Sequence, residues 1–555
     1  QMQSVMQAQN WDTLVDRFFD EAEFRFNPTA GTSAGFHLYD TQLEDFSSAT
    51  IQQQIGVLRQ FDMQVESFAP AKLTPDQSAD RDLILSNIRS MLLELESIRS
   101  WEKNPDRYSS TTSYAVFVIM SRKFAPADDR LRSVIERERQ MPKMLMDARA
   151  NLKNPPRIYT EVALEQLPGI ISFFEKDVPL AFSEVKDKAL LDRFHQANGQ
   201  VISSLQSYQA FLKNDLLPRS KGDFRIGADN YRKKLLYDEM VDIPLDRLLE
   251  IGMANLRENQ RMFRETAKKI DPGRTPQQIL EEAAKDHPTP DKLLQSFRDT
   301  LGGLRDFITQ HNIATIPSTV LPIVEETPPF MRALTFASMD TPGPYEKVAK
   351  EAFFNVTLPE KAWSADQVEE HMTAFNRGTI TSTAIHEAYP GHYVQFLWLS
   401  SAPSKVRRLL GANSNAEGWA HYCEQMMIDE GYGRDDLKLR LGQLQDALLR
   451  NARYIVGIQM HTGKMTFDQG VDFFVNEGMQ ARANAEREAK RGTSDPTYLY
   501  YTLGKLEILK LREDYRKMRG SAFSLKEFHD SFLKQGFPPV RIVRQAMLKN
   551  NSPVL

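Results

Sequence analysis

The 555-residue sequence contains a single cysteine, Cys423, so no intrachain disulfide can form and a disulfide-built scaffold is excluded. It also lacks any apolar run near the roughly 18–20 residues that a helix needs to cross a bilayer. Neither sign of charge is in excess: 70 lysines and arginines face 74 aspartates and glutamates, leaving a net charge of −4. With no basic block or stripe, the sequence argues against nucleic acid or an anionic membrane as the main partner. Internal repeats and low-complexity tracts are missing too. The chain opens Gln1-Met2-Gln3 with no charged-then-apolar leader. That is the expectation for a mature form with its signal removed, hence periplasmic or secreted, with the cytoplasm as the alternative.

What is present is an ordinary globular balance of 41% apolar and 26% charged residues. The length exceeds what one core usually fills, so two lobes are expected: a helical one over 1–230 and a catalytic one over 231–555. Trp11, Leu14, Val15, Phe18, Phe19 and Ala22 recur at helical spacing, as do Leu83, Ile84, Ile88, Met91, Leu92 and Leu95. Further helices are expected over about 128–152, 184–213, 246–269, 290–311 and 435–460. The stretch 315–357 differs. It is rich in proline and β-branched residues, and short strands are expected at Val320–Val324, Leu334–Ala337 and Phe353–Thr357. The fold class that follows is mainly α, with a small sheet ahead of a histidine-bearing segment.

That segment is His386-Glu387-Ala388-Tyr389-Pro390-Gly391-His392. Zinc hydrolases take two histidines from one helix, a third ligand from another, and leave one position open for water. A glutamate beside the first histidine can deprotonate that water, which is the role expected of Glu387. Here the histidines are six apart rather than four, about 120° around a regular helix. Pro390 cannot donate to the carbonyl of His386 and clashes with it, and Gly391 tolerates unusual dihedrals. A loop-out absorbing two residues would restore one face to His386 and His392. Taken alone, the pattern equally describes a helix end with solvent-facing polar residues.

Downstream, Asn415–Glu424 reads as helix and offers Glu417 as the natural third ligand, with His421 one turn later as the other choice. Glu424, a further turn on, suits a hydrogen bond to the far nitrogen of a ligating histidine. In the run Thr497–Lys505, a phenol such as that of Tyr501 could stabilise an oxyanion, although clustered tyrosines also pack core edges. Arg453 and His461 lie on one helical stretch, where each is either a substrate-orienting group or a structural hydrogen-bonder.

Together these residues resemble a bacterial family known as domain of unknown function 885. The seven-residue histidine segment matches its hallmark without change. Arg377, Thr379 and Gln395 extend the likeness, Glu417-Gly418-Trp419-Ala420 with Glu424 matches a second motif, and Tyr501 with Gly504 matches a third. Asn230-Tyr231 and Phe354-Asn355 continue it over nearly the whole chain. Two positions depart from the pattern: Gly457-Ile458-Gln459 stands for Asp-Thr-Gly, and Asp495-Pro496-Thr497 for Pro-Gly-Gln. The resemblance implies a two-lobed, gluzincin-like helical peptidase with a deep channel and one zinc ion held by His386, His392 and Glu417. It implies Glu387 as general base and Tyr501 and His461 at the scissile carbonyl; the closed channel of such a fold favours short peptides, and Arg453 is the expected substrate-binding residue. The strand at Phe354 and Asn355 would be the edge pairing with the substrate backbone. Two alternatives stand beside this: a peptide-binding protein without turnover, and a zinc hydrolase of non-peptide amides or esters.

Overall fold

The computed structural model describes residues 2–328, 332, 336–434 and 436–555. The protein is mainly helical and divides into two compact units. One runs up to Phe224 and also takes in Pro342–Glu351; the other begins at Arg225 and carries the sheet and every candidate site residue.

In the first unit, α1 (Ala127–Asn151) buries Leu131, Val134, Ile135, Met141, Met144, Leu145 and Ala148, a stripe at three- and four-residue spacing. It shares a core with α2 (Lys188–Phe211), which contributes Leu190, Phe194, Val201 and Leu205. The buried Arg137 donates to the carbonyls of Ala115 and Tyr39 and to Thr32 Oγ1. Those bonds satisfy a charge that would otherwise be costly to bury.

In the second unit, α3 (Gly227–Glu239) is followed by α4 (Leu245–Ile270) and later by α5 (Leu293–Gln310). The sheet has three strands, β1 (Ile323–Glu326), β2 (Ala337–Asp340) and β3 (Phe353–Val356), in the order β1-β3-β2. β1 runs parallel to β3, with Val324 opposite Phe354, and β2 antiparallel, with Met339 opposite Phe354. β1 overlaps the expected Val320–Val324 only at its last two residues, because the chain becomes free to pair only beyond Pro322. Of the expected run Leu334–Ala337, residues 334 and 335 lie outside the described residues, and Ala337 opens β2. β3 matches its expectation to within one residue.

That strand order corrects one expectation. The strand carrying Phe354 and Asn355 is the central one, paired on both sides, so its backbone has no edge to offer a substrate. Phe354 itself is fully buried, packed on Phe297 of α5 with ring centroids 5.1 Å apart, and cannot touch a substrate.

The remaining helices that set the site are α6 (Arg377–Glu387), α7 (His392–Trp398), α8 (Asn413–Asp429), α9 (Leu437–His461) and α10 (Tyr500–Arg519). α9 lies along α4, with the side chains of Tyr454 and Ile455 against Gly252 and Asn451 bonded to Asn259. α8 and α10 meet at Gly418 and Gly504 so closely that a Cβ on Gly504 would lie 1.8 Å from the carbonyl oxygen of Ser414. Only glycine permits that approach. Glu417 lies beside Gly418 and Tyr501 one turn before Gly504 on the two helices that meet there.

Below this crossing two carboxyl groups are buried. Glu239 accepts from the Ser414 N–H at 3.0 Å, while both oxygens of Glu507 lack any hydrogen-bond partner. Burial pushes Glu239 up to about 7 and, with Glu239 beside it, raises Glu507 well above the usual carboxylate range. Both folded-state values exceed the unfolded ones, so the stabilising protonated forms are intact at low pH and are lost as pH rises. Glu507→Gln mimics the protonated form. Its melting temperature should match the parent near pH 5 and exceed it at pH 8; parallel thermal-melt profiles across that range would contradict this account.

Candidate metal centre

α6 begins with Asn376, whose side-chain oxygen accepts from the Thr379 N–H at 3.0 Å, a typical N-cap. Its regular ladder stops at Glu387. Ala388 leaves helical dihedrals (φ −126°, ψ −70°), and the Tyr389–Pro390 peptide is cis. Two hydrogen bonds then cross the break: the Gly391 N–H donates to Ile385 O at 3.0 Å, and the Val394 N–H to Ala388 O at 3.3 Å. Each spans six residues where a helix spans four, so two extra residues are accommodated between the histidines. The chain does this by ending one helix and starting another, rather than by bulging within one.

Gly391 is required here for space: a Cβ would lie 1.8 Å from the carbonyl oxygen of His386. The loop is held from outside by the fully buried Trp419 of α8, whose indole N–H donates to Pro390 O at 2.9 Å. As a result the rings of His386 and His392 stand 4.9 Å apart at 89°.

Glu417 enters from α8. Its Oε2 lies 3.2 Å from His386 Nε2 and 3.6 Å from His392 Nε2, and the three ligand atoms all lie within 4.8 Å of one another. Ligands of a tetrahedral zinc ion, each about 2.0–2.1 Å from the metal, are about 3.3 Å apart, and the two measured separations bracket that edge. Glu417 Oε2 is buried and finds no well-formed hydrogen bond, the condition of an atom shaped for an ion. Burial alone would raise its pKa, yet His386 and His392 pull it far below the carboxylate range, so it stands as an anion. Two imidazoles and one carboxylate are a donor set that suits zinc.

The other nitrogen of His386 is also fixed. Nδ1 donates to Glu424 Oε1 at 2.7 Å, which fixes the ring with Nε2 directed at the site. Glu424 is almost fully buried. Burial would raise it, but Arg450, His421 and His386 hold it well below its usual range. His421 contacts Glu424 Oε2 at 3.1 Å and is not part of the ligand trio. Burial, aided by nearby Lys505, pushes its pKa down to about 3, so it donates as a neutral imidazole.

The remaining residues separate into those near the centre and those away from it. Glu387 Oε2 accepts from the Met339 N–H of β2 at 3.3 Å, so this carboxylate reaches the sheet edge. Tyr501 is caged by three guanidinium groups, Arg453 at 5.0 Å, Arg450 at 5.5 Å and Arg491 at 6.0 Å from its ring centroid. Arg453 is paired with Glu488, which binds its Nε and Nη2 at 2.6 and 2.8 Å. His461 does not face a scissile carbonyl either. It is fully buried, its Nδ1 accepts from the Ile226 N–H at 3.3 Å, and its Nε2 donates to Gly492 O at 2.7 Å. It therefore ties α9 to two distant segments. Sequence reasoning missed Arg450, which joins Glu424 (3.3 Å) to the Tyr501 ring. Its position one turn before Arg453 on the same helix was the available signal.

The pattern of bacterial proteins of unknown function (DUF885) matches residues 28–547. A solved structure of a candidate lipoprotein of unknown function from Shewanella oneidensis is 28% identical, with 98% of this chain and 99% of that one covered and a TM-score of 0.81. A second, a candidate lipoprotein from Colwellia psychrerythraea, is 17% identical over 97% and 98% with a TM-score of 0.82, a likeness of fold alone. No curated protein matches the chain.

Removing the outer carboxylate should weaken zinc without removing the ligands. Glu424→Gln is expected to lose roughly 10- to 100-fold in zinc affinity by competition with a chromophoric chelator, and His386→Ala to lose stoichiometric zinc. Unchanged affinity in Glu424→Gln would remove Glu424 from the centre.

Proposed function

The chain belongs to the bacterial proteins of unknown function (DUF885), and we propose that it is a zinc-dependent hydrolase that cleaves short peptides. The observation that carries this reading is the His386–His392–Glu417 trio, with an orphaned buried Glu417 oxygen and a carboxylate fixed behind His386. A zinc ion held there supplies Lewis acidity, polarising a carbonyl and lowering the pKa of water.

The chain's own groups divide the remaining work. Glu387 takes a proton from the attacking water and returns it to the leaving amine. Its carboxylate accepts from the Met339 N–H, a bond it must release or share when water and substrate arrive. Tyr501, held by its arginine cage, donates its phenol O–H to the developing oxyanion. The outer edge of β2, rather than β3, aligns the substrate backbone: Met339 directs its N–H away from β3 and towards Glu387. The accompanying fold reading is a two-lobed gluzincin-like peptidase. A periplasmic or secreted location agrees with relatives described as candidate lipoproteins, and no described helix is long and apolar enough to cross a membrane.

Metal analysis followed by a peptide-library digest read by mass spectrometry tests the reading. About one zinc per chain and peptide cleavage are expected. Glu387→Gln should keep the zinc and lose turnover, whereas Tyr501→Phe should lower kcat by about 100- to 1000-fold. A zinc-loaded wild-type protein inert towards the whole library would overturn the peptidase reading, and full activity in Glu387→Gln would overturn the assignment of the base.

A further inference from the structure

A cavity of about 290 Å³ opens between the first halves of α6 and α9 and the short helix Pro276–Ala283. Its inner end is formed by Ser382 of α6 and Asp446 of α9. Ser382 stands one turn before His386, and Asp446 one turn before Arg450, which pairs with Glu424 behind that histidine. Side chains one turn apart on a helix have Cβ atoms about 5–6 Å apart, so the cavity begins within a side chain's reach of the centre.

The cavity is acidic at its inner end and apolar along its walls. Asp446 lies inside a helix, yet its side chain is 43% exposed, and the surface it presents lines this cavity. Ser382 Oγ donates to its Oδ2 at 3.2 Å, the one hydrogen bond on this carboxylate among the described residues. Arg450 stands 3.9 Å from it and closer, at 3.3 Å, to Glu424. A carboxylate has about four acceptor positions, so most of those on Asp446 stay open. Leu280 and Ala283 on one side and Leu439 on the other supply the walls. Gly442 widens the space between them: a Cβ there would meet nothing within 4 Å, although alanine is the more stable residue inside a helix. The cations of the lining, Arg377 and Lys438, belong to the first turns of their helices and also border a shallower groove with Arg434. At 1.5 Å per residue they start about 7.5 and 12 Å from Ser382 and Asp446 respectively.

We propose that this cavity takes the lysine or arginine side chain of a substrate residue beside the scissile bond, with Asp446 as its counter-ion. The inference rests on the peptidase reading above and specifies which side chains that peptidase prefers. A long basic side chain has an apolar stem and a charged head, which fits apolar walls that lead to a carboxylate. An acidic side chain at the same place would be repelled by Asp446. A purely apolar one would take water from the carboxylate and give it no partner in return, which is unfavourable. The pairing with a cation is charge-assisted, and it separates substrates that differ by one positive charge by roughly 10- to 100-fold.

The test measures binding and turnover separately. Calorimetry on zinc-loaded Glu387→Gln uses short peptides blocked at both ends that carry one lysine, norleucine, alanine or glutamate at successive positions. At one position lysine should bind roughly 10- to 100-fold more tightly than norleucine, which has the same stem without the charge. Adding Asp446→Asn, which keeps the size of the side chain and an acceptor for Ser382, should bring that ratio towards one. Gly442→Leu, which fills the cavity, should remove the advantage of lysine over alanine. A merely structural disturbance would weaken the lysine and norleucine peptides alike, so an unchanged ratio in Asp446→Asn overturns the inference. Tighter binding of the glutamate peptides overturns it too, by assigning the cavity to Arg377 and Lys438. A wild-type digest with lysine and arginine enriched beside the cleaved bond supports both readings. Cleavage without that enrichment would overturn the pocket and uphold the peptidase, whereas a lysine preference in binding that depends on Asp446, with no cleavage by wild type, would uphold the pocket and sink the peptidase.

Discussion

The centre depends on one backbone contact: the carbonyl of His386 lies so near Gly391 that no Cβ fits between them. A regular helix would send His386 and His392 to different faces, and the two six-residue hydrogen bonds correct this by inserting two residues without leaving their N–H groups unpaired. The break would be loose on its own. Trp419, reaching over from α8 to Pro390, fixes it and at the same time sets the position of Glu417, two residues away on the same helix. The third member of the trio and the brace for the first two therefore come from one element. The glycine crossing of α8 with α10 extends the arrangement to Tyr501.

Electrostatics follow the same path outward. Buried carboxylates are tolerated near the centre because each has a cationic or donor partner: Glu424 has Arg450, His386 and His421, and Glu488 has Arg453. Arg450 belongs to two networks, since its guanidinium pairs with Glu424 and also stacks near Tyr501. Displacing it would disturb the histidine tautomer and the phenol together. Glu507 is the contrasting case, a buried carboxyl with no such partner, which burial keeps protonated well above the usual carboxylate range.

Much of this is legible in the sequence where the governing interactions are local. Helices expected at 128–152, 246–269 and 435–460 are found at 127–151, 245–270 and 437–461, because a buried stripe at helical spacing is a property of consecutive residues. The six-residue spacing with Pro390-Gly391 likewise carried its own remedy. The misreadings concern partners far apart in the chain. His461 is engaged by Ile226, 235 residues away, and Arg453 by Glu488, 35 residues away; nothing near either residue indicates that its hydrogen-bonding groups are already used. The changed residues at 457–459 flagged His461 as unusual but could not say why.

The sheet shows the limit most clearly. β2 and β3 are each four residues long and nothing in their composition orders them, since strand order is decided by pairing and not by local pattern. Placing β3 in the middle removes Phe354 from any substrate and transfers the free edge to β2. The same placement sets Asn355 between Glu325 of β1 and Ser338 of β2, on the face opposite the core. The edge strand beside it carries the Met339 N–H from which Glu387 accepts. The residue pair that resemblance assigned to substrate thus divides, Phe354 to the core and Asn355 to the opposite face, because successive side chains of a strand point opposite ways.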